Sequence, residues 1–579
     1  MDQPSLSTCS PEPSISLPEP PIVKPHQPTD IDYPMENPLD YPNDPMDLNF
    51  SQVFYNRAKQ RVYQQAYKSV EKDPQTLKQV LKSPNHIEWL KAIYQELDQL
   101  VRLYVFSFIA RKDIPKNKKP ITSRLVLRTK RDQNHEIIKF KARLVARGFQ
   151  QVEGIDFDQT FASTAIPSTW RLLLALATIY DWEVDQIDFI GAFLNGILKE
   201  EILLNLPEGF KDYASQATKV SKAALKKLGY NPDVDQVIQL NRALYGLKQA
   251  SREWQQALTA LCKKLGYKPL VSDSAIYYSP KSGIFVATHV DDCLLIGPNK
   301  SAIANLKRAM HKVYAIEDRG SASFFLGVQI IRDRKRGLMW LSQRHYVEEA
   351  VQFFNLQDSN SLQIPLQPGL LANKTTEKLD KSNTRLFQAI VGTAIYLSTN
   401  TRVDICFAVQ WLARQFQDPH KEHLKASRNL FRYLNTFKNL PILYSKKGNL
   451  VPIGYCDSDF AGDKATAKST YSYVFMLANG PISWKSKRGS TIALSTLEAE
   501  YIAITEATRE IQWLRGLFTE IQRPINQPTT LYNDNQGAIS TASDPKHHSR
   551  TKHTLLRFSY VREEAKKGTV GTYYGSMVG

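Results

Sequence analysis

Cysteine is scarce and scattered. Cys9, Cys262, Cys293, Cys406 and Cys456 are all the chain has, with no C-x-x-C spacing among them. That excludes a disulfide framework and a zinc site, and a reducing compartment is the natural setting. Long apolar runs are also missing. The strongest, LLLALA at 172–177, falls far short of the roughly 20 residues of a membrane span. No basic segment followed by an apolar one opens the chain, so no secretory signal is visible. No internal repeat is present.

Basic residues are nearly absent from the first 50 positions. There Lys24 stands against nine acidic residues, beside twelve of the 31 prolines. The segment lacks the large apolar residues a core needs and reads as an extended linker. Its charge is −8 against a chain total of +18, so the rest carries +26. A body that basic favours a polyanionic partner, because each Lys or Arg set on a phosphate releases counterions. At 579 residues the chain exceeds one core, and about 150 residues per domain predicts three to five domains.

What is there is patterned. Ser83-Pro84 predicts a helix start, with Leu90, Ile93, Leu97 and Leu100 as its apolar stripe. RLVLRTK (124–130) and IIKFKARLVARGF (137–149) flank a polar RDQNHE and read as a basic hairpin. WEVDQIDFIGAFLNG (182–196) reads as a strand running into a turn. Residues 343–440 are mainly helical. After 450 the pattern returns to strands, followed by the amphipathic helix EAEYIAITEATREIQWLRGLF.

Two aspartates, Asp291 and Asp292, sit between the strand-like runs Phe285–Val290 and Cys293–Ile296, with no glycine until Gly297. The pair alone also reads as a solvated turn. Asp188, however, lies at the end of another apolar strand. Three carboxylates brought together repel one another and take up protons. Divalent cations relieve that. Two magnesium ions, held by hard oxygen ligands, can activate a 3′-hydroxyl and stabilise leaving pyrophosphate.

Seven ordered blocks carry a resemblance: FKARLVARGFQQVEGIDFDQTFA (140–162), DFIGAFLNG (188–196), LPEGF (206–210), LNRALYGLKQASREW (240–254), HVDD (289–292), FFLGVQI (324–330) and LSQRHYV (341–347). Over roughly residues 84–565 the chain resembles the reverse transcriptase of Ty1/copia-type long-terminal-repeat retrotransposons. The resemblance implies a right-hand polymerase followed by a ribonuclease H-like domain, in an α/β and α+β multidomain chain. The expected division is a linker at 1–60, fingers and palm at 84–345, a helical thumb or connection at 346–445, and a C-terminally truncated ribonuclease H-like domain at 446–579.

The same resemblance assigns roles. Asp188, Asp291 and Asp292 match the metal-binding triad, with the Phe189 carbonyl as a further ligand. Phe193 matches the ring that excludes a 2′-hydroxyl, though it also reads as a core aromatic. Lys130 and Arg143 match the triphosphate-binding positions, or else a solvated hairpin. Tyr245 and Gly246 would line the nucleotide and template base, and Leu326 and Gly327 resemble the primer grip. His289 stands where the family has Tyr, and Ser251 where it has Pro. A histidine there is shorter and titrates near neutral pH.

In the C-terminal part, Asp457 (GYCDSDFAG), Glu498 (STLEAEYIA) and Asp534 (LYNDNQGAI) resemble the ribonuclease H carboxylates. Asp459 is a rival for Asp457, and Glu500 reads as a solvated helix residue. Leu555 replaces the expected fourth acid, so nuclease activity is expected to be reduced. His548 and His553 match the family's His-rich block. The resemblance implies two magnesium or manganese ions per site, an RNA template, a DNA or RNA primer, an RNA–DNA hybrid, dNTPs, no membrane, and an upstream integrase. It implies a cytoplasmic, virus-like-particle or nuclear setting. The rival reading is a decayed relic that binds nucleic acid without turnover.

Overall fold

The computed structural model describes residues 73–131, 137–367, 377–543 and 555–575. The acidic linker 1–60, His548 and His553 lie outside them. The elements that place the sites are, in chain order, α1 (His86–Arg102), β1 (Ser123–Arg131), β2 (Ile137–Ala146), α2 (Pro167–Ile179), β3 (Glu183–Phe189), α3 (Ala250–Lys264), β4 (Ile284–His289), β5 (Asp292–Gly297), α4 (Lys300–His311) and β6 (Ile316–Ser321). Next come β7 (Val328–Asp333), β8 (Leu338–Ser342), α5 (Arg344–Phe353), α6 (Lys381–Asn400), α7 (Cys406–Ala413), α8 (Lys421–Thr436) and β9 (Ile442–Ser445). The last are β10 (Ile453–Asp463), β11 (Lys468–Leu477), β12 (Gly480–Arg488), α9 (Thr496–Glu520), β13 (Thr529–Asn533), α10 (Gln536–Ser543), α11 (Leu555–Lys566) and β14 (Val570–Tyr574).

A six-stranded antiparallel sheet carries Asp188, Asp291 and Asp292 at one end, in the order β6-β3-β5-β4 followed by strands Ile276–Ser279 and Lys268–Pro269. Every residue of β4 and β5 is buried, because alternate side chains feed two different cores. Phe285, Ala287, Leu294 and Ile296 join α2. Ile284, Val286, Cys293 and Leu295 join α3 and α4. Apolar on all sides, α2 is a core helix, and proline at its first turn costs no hydrogen bond.

The basic hairpin forms as expected, β1 against β2, and it leans on α1 through Trp89 and Phe140, edge to face at 4.8 Å. The α1 helix begins at His86, with Asn85 rather than Ser83 in the cap position. Helices α5, α6, α7 and α8 enclose a core of their own. They sit between β8 and β9, which pair antiparallel in one four-stranded sheet.

The C-terminal sheet has the order β12-β11-β10-β13-β14. Its first three strands are antiparallel and its last two parallel, and α9 packs across it. Its core is continuous with that of α2. Arg171 of α2 seals the junction. It is buried, donates to the carbonyls of Ile482, Thr399 and Asn400, and stacks on Trp484 at 3.7 Å. Among the described residues, no helix is long and apolar enough to cross a membrane.

Candidate functional site

The β4–β5 connection has two residues, Val290 and Asp291, since His289 pairs with Asp292. The turn needs a positive φ, and Val290 supplies it at 58°. For a β-branched residue that is strained, a cost of about 1–3 kcal/mol. Two contacts hold it: Trp254 Nε1 donates to the Val290 carbonyl at 2.6 Å, and Phe189 N–H donates to the Asp291 carbonyl at 2.9 Å. The turn is thereby pinned to α3 and to the end of β3.

Asp292 is the register partner of Asp188, so both carboxylates leave one face of adjacent strands. Burial first, then Asp291, pushes the Asp188 carboxyl up to about 6, with Arg319 opposing. Burial, Asp291 and Asp188 push Asp292 up to about 7, while a hydrogen bond from Gln186 Nε2 at 2.8 Å opposes. Asp291 is also raised by burial, and Arg143, Lys141 and Arg319 pull it back. Its Oδ1 is buried without a hydrogen-bond partner among the described residues. Hard oxygen donors that repel one another, one of them unmet, suit a divalent cation, although the three carboxylates do not all come within 4.8 Å of one another.

The Arg143 charge acts on Asp291, and its guanidinium lies 5.3 Å from the Tyr245 ring centroid. Lys141, not anticipated from the sequence, acts on the same carboxylate. It stands two residues before Arg143 on β2, and the period of two was the signal that could have found it. Lys130 lies on β1 opposite Lys139. Phe193 is 6% exposed and meets Tyr245 edge to face at 5.5 Å. Burial pushes the Tyr245 phenol up to about 12. Gly246 has φ +89°, and a Cβ there would run into the Ala146 carbonyl. Tyr245 accepts from Ala146 N–H at 2.7 Å, so this loop and the basic hairpin meet backbone to backbone.

Two expectations change, at His289 and at Glu498. His289 is not a group titrating near neutral pH. It is 5% exposed, and burial holds its pKa down at about 4. Leu326 and Gly327 form a turn with φ 50° and 69°. Leu326 is buried and its carbonyl accepts from the Tyr396 hydroxyl of α6, so this turn is tied to the helical region. Glu498 does not join Asp457 and Asp534. Its Oε2 accepts from Leu494 N–H at 2.8 Å and its own N–H donates to Ser495 Oγ at 3.1 Å, a variant of the capping box.

Glu500 takes that place. Asp457, Glu500 and Asp534 bring one ligand atom each to within 4.8 Å of one another, and no other group of described residues does so. Two residues along a helix is about 200° of rotation, which turns Glu500 toward the sheet while Glu498 faces out. Glu500 is buried, accepting from Ser458 Oγ at 2.7 Å and Asn533 Nδ2 at 2.9 Å. Burial raises its pKa, with Asp457 and Asp534 adding to the effect. Asp457 is raised by burial and then by Asp534. Asp459, the rival, is exposed. Ser495-x-x-Glu498 was the signal that marks Glu498 as a cap. Leu555 opens α11.

Comparison with known proteins follows this geometry. The family model described as reverse transcriptase (RNA-dependent DNA polymerase) matches residues 107–368. The chain is 34% identical over 504 residues to the retrovirus-related Pol polyprotein from transposon TNT 1-94 of Nicotiana tabacum, covering 86% of this chain and 36% of that protein. It is 30% identical over 328 residues to a putative transposon Ty5-1 protein of Saccharomyces cerevisiae, covering 56% of this chain and 100% of that protein. A solved foamy viral protease–reverse transcriptase in complex with double-stranded DNA aligns with a TM-score of 0.42 at 12% identity, over 96% of this chain and 84% of that one. The chain thus spans about a third of the Pol polyproteins of Nicotiana tabacum and Arabidopsis thaliana that it matches. It belongs to the reverse transcriptase family of retrotransposon Pol polyproteins.

Proposed function

We propose that the chain is an RNA-directed DNA polymerase that extends a DNA or RNA primer on an RNA template with dNTPs. In this reading it also carries a ribonuclease H domain acting on the RNA–DNA hybrid. The observation that carries the reading is the Asp188–Asp292 register pair with Asp291 on the adjoining strained turn, faced by Arg143 and Lys141.

Asp188, Asp291, Asp292 and the Phe189 carbonyl would hold two magnesium ions, or manganese. Asp457, Glu500 and Asp534 would hold a second set. Bound there, the metals would lower the pKa of the attacking oxygen and neutralise charge on the leaving group. The chain's own residues do the rest. Arg143 and Lys141 attract the triphosphate to the carboxylate end of the sheet. Phe193, braced by Tyr245, presents an edge that leaves no room for a 2′-hydroxyl. The backbone contact at Gly246 holds the hairpin and the nucleotide wall at one spacing. Lys421, Lys425, Arg428 and Arg432, at helical spacing on α8, line a groove of about 560 Å³ suited to a phosphate backbone. The enzyme would work downstream of an integrase in the parent polyprotein, inside the particle of an intact element.

The test is primer extension on poly(rA) with magnesium, abolished by Asp291→Asn. No incorporation by folded protein, with either magnesium or manganese, overturns the reading and leaves a nucleic-acid-binding relic.

A further inference from the structure

The polymerase carboxylates already face a cation of the chain's own. Arg319 lies on β6, beside β3, where the register slips between Asp318 and Gly320. Its Nη2 stands 3.1 Å from Asp188 Oδ2, with Glu317 Oε2 at 3.9 Å. Its charge also acts on Asp291 and Asp292, so one guanidinium serves three carboxylates.

The pairing is incomplete at both ends. A guanidinium binds a carboxylate best through two parallel N–H···O bonds, and only one is made to Asp188. Arg319 Nε is buried without a hydrogen-bond partner among the described residues, and so is Asp291 Oδ1. A fork pair built for stability would use Nε as its second donor. An unfilled donor on Arg319 and an unfilled acceptor on Asp291, a carboxylate its charge acts on, mark a contact that can be exchanged. A divalent ion brought among these carboxylates would lie against the guanidinium, and like charges that close repel strongly in a half-buried site.

We propose that Arg319 is a displaceable counter-cation, standing among the polymerase carboxylates until a divalent ion takes its place. The proposal rests on the polymerase reading above. It makes Arg319 a determinant of metal affinity, and it explains how three carboxylates share one strand end before metal arrives.

The experiment titrates Mn²⁺ into the full chain carrying Asp457→Asn and Asp534→Asn, which silence the nuclease set, and counts free ion by electron paramagnetic resonance. Arg319→Gln is expected to bind Mn²⁺ about tenfold tighter and Arg319→Lys about threefold tighter than the parent. The melting temperature of Arg319→Gln is expected to fall without metal and to match the parent at saturating Mn²⁺. Should Arg319→Gln not fold, Arg319→Lys decides the question by the same two measurements. Asp291→Asn must abolish the binding; if it does not, the polymerase reading itself fails. If Asp291→Asn abolishes binding but the Arg319 variants bind no tighter, or melt lower by equal amounts with and without Mn²⁺, Arg319 is a structural pair and the proposal is overturned.

Discussion

Asp188 and Asp292 are direct partners across β3 and β5, which sets two carboxyls side by side in a largely buried site. Their pKa values, about 6 and about 7, lie above the value of 3.8 usual for the unfolded chain. The native state therefore holds these protons to higher pH than the unfolded state does. The pair costs no stability below about pH 4, and it destabilises progressively as pH rises through 6 and 7. Without metal, Asp292→Asn is expected to be more stable than the parent at pH 8, by about 1–3 kcal/mol. The difference should vanish near pH 4 and shrink when magnesium is added. Denaturant titrations of both proteins across that range check the sign; a parent more stable than Asp292→Asn at pH 8 without metal would refute the coupling.

Glu498 and Glu500 separate cap from ligand. Glu500→Gln is expected to lower cleavage of a labelled RNA–DNA hybrid by at least about 100-fold, since it removes the negative charge of one of three carboxylates whose ligand atoms lie within 4.8 Å of one another. Glu498→Gln should leave cleavage within about threefold and cost about 1 kcal/mol of stability, the usual worth of a cap. Cleavage that survives Glu500→Gln and is lost in Glu498→Gln would restore the assignment read from sequence.

The polymerase half was legible because its signals are local. Apolar runs on both sides of Asp291 and Asp292 required strands, and two basic runs flanking the polar RDQNHE required a hairpin. The outer residues were not legible, because their partners are distant or depend on irregular backbone. Arg171 sits in an apolar run, and its carbonyl partners lie 228 to 311 residues along the chain. Arg319 reaches Asp188 where β6 slips its register, and the one local mark of that slip is Gly320, at φ 70°. His289 followed the wrong rule: its motif position suggested a working surface, whereas full burial of β4 leaves it neutral.

The Arg171 contacts set how tightly the C-terminal sheet is held to α2. Its guanidinium meets three carbonyls and the Trp484 ring, and burial lowers its pKa to about 9. Arg171→Met would leave those carbonyls unpaired in a core shared by α2 and the C-terminal sheet. A loss of about 3–5 kcal/mol is expected, with Arg171→Lys in between. Urea unfolding followed by tryptophan fluorescence measures it. An Arg171→Met protein with the parent's midpoint would mean that the junction is held by apolar packing alone.

The basic face of α8 makes a prediction that charge alone decides. Lys421, Lys425, Arg428 and Arg432 are spaced to line one groove, and such side chains bind a phosphate backbone without reading its sequence. Binding of a primer–template duplex should weaken linearly in log–log terms as salt rises, because bound cations release counterions. Lys425→Ala and Arg428→Ala should each reduce that slope by about one and weaken binding alike for duplexes of different sequence. Fluorescence anisotropy at several salt concentrations gives the slope directly. An unchanged slope in both variants would place the duplex elsewhere and leave α8 with a solvated face.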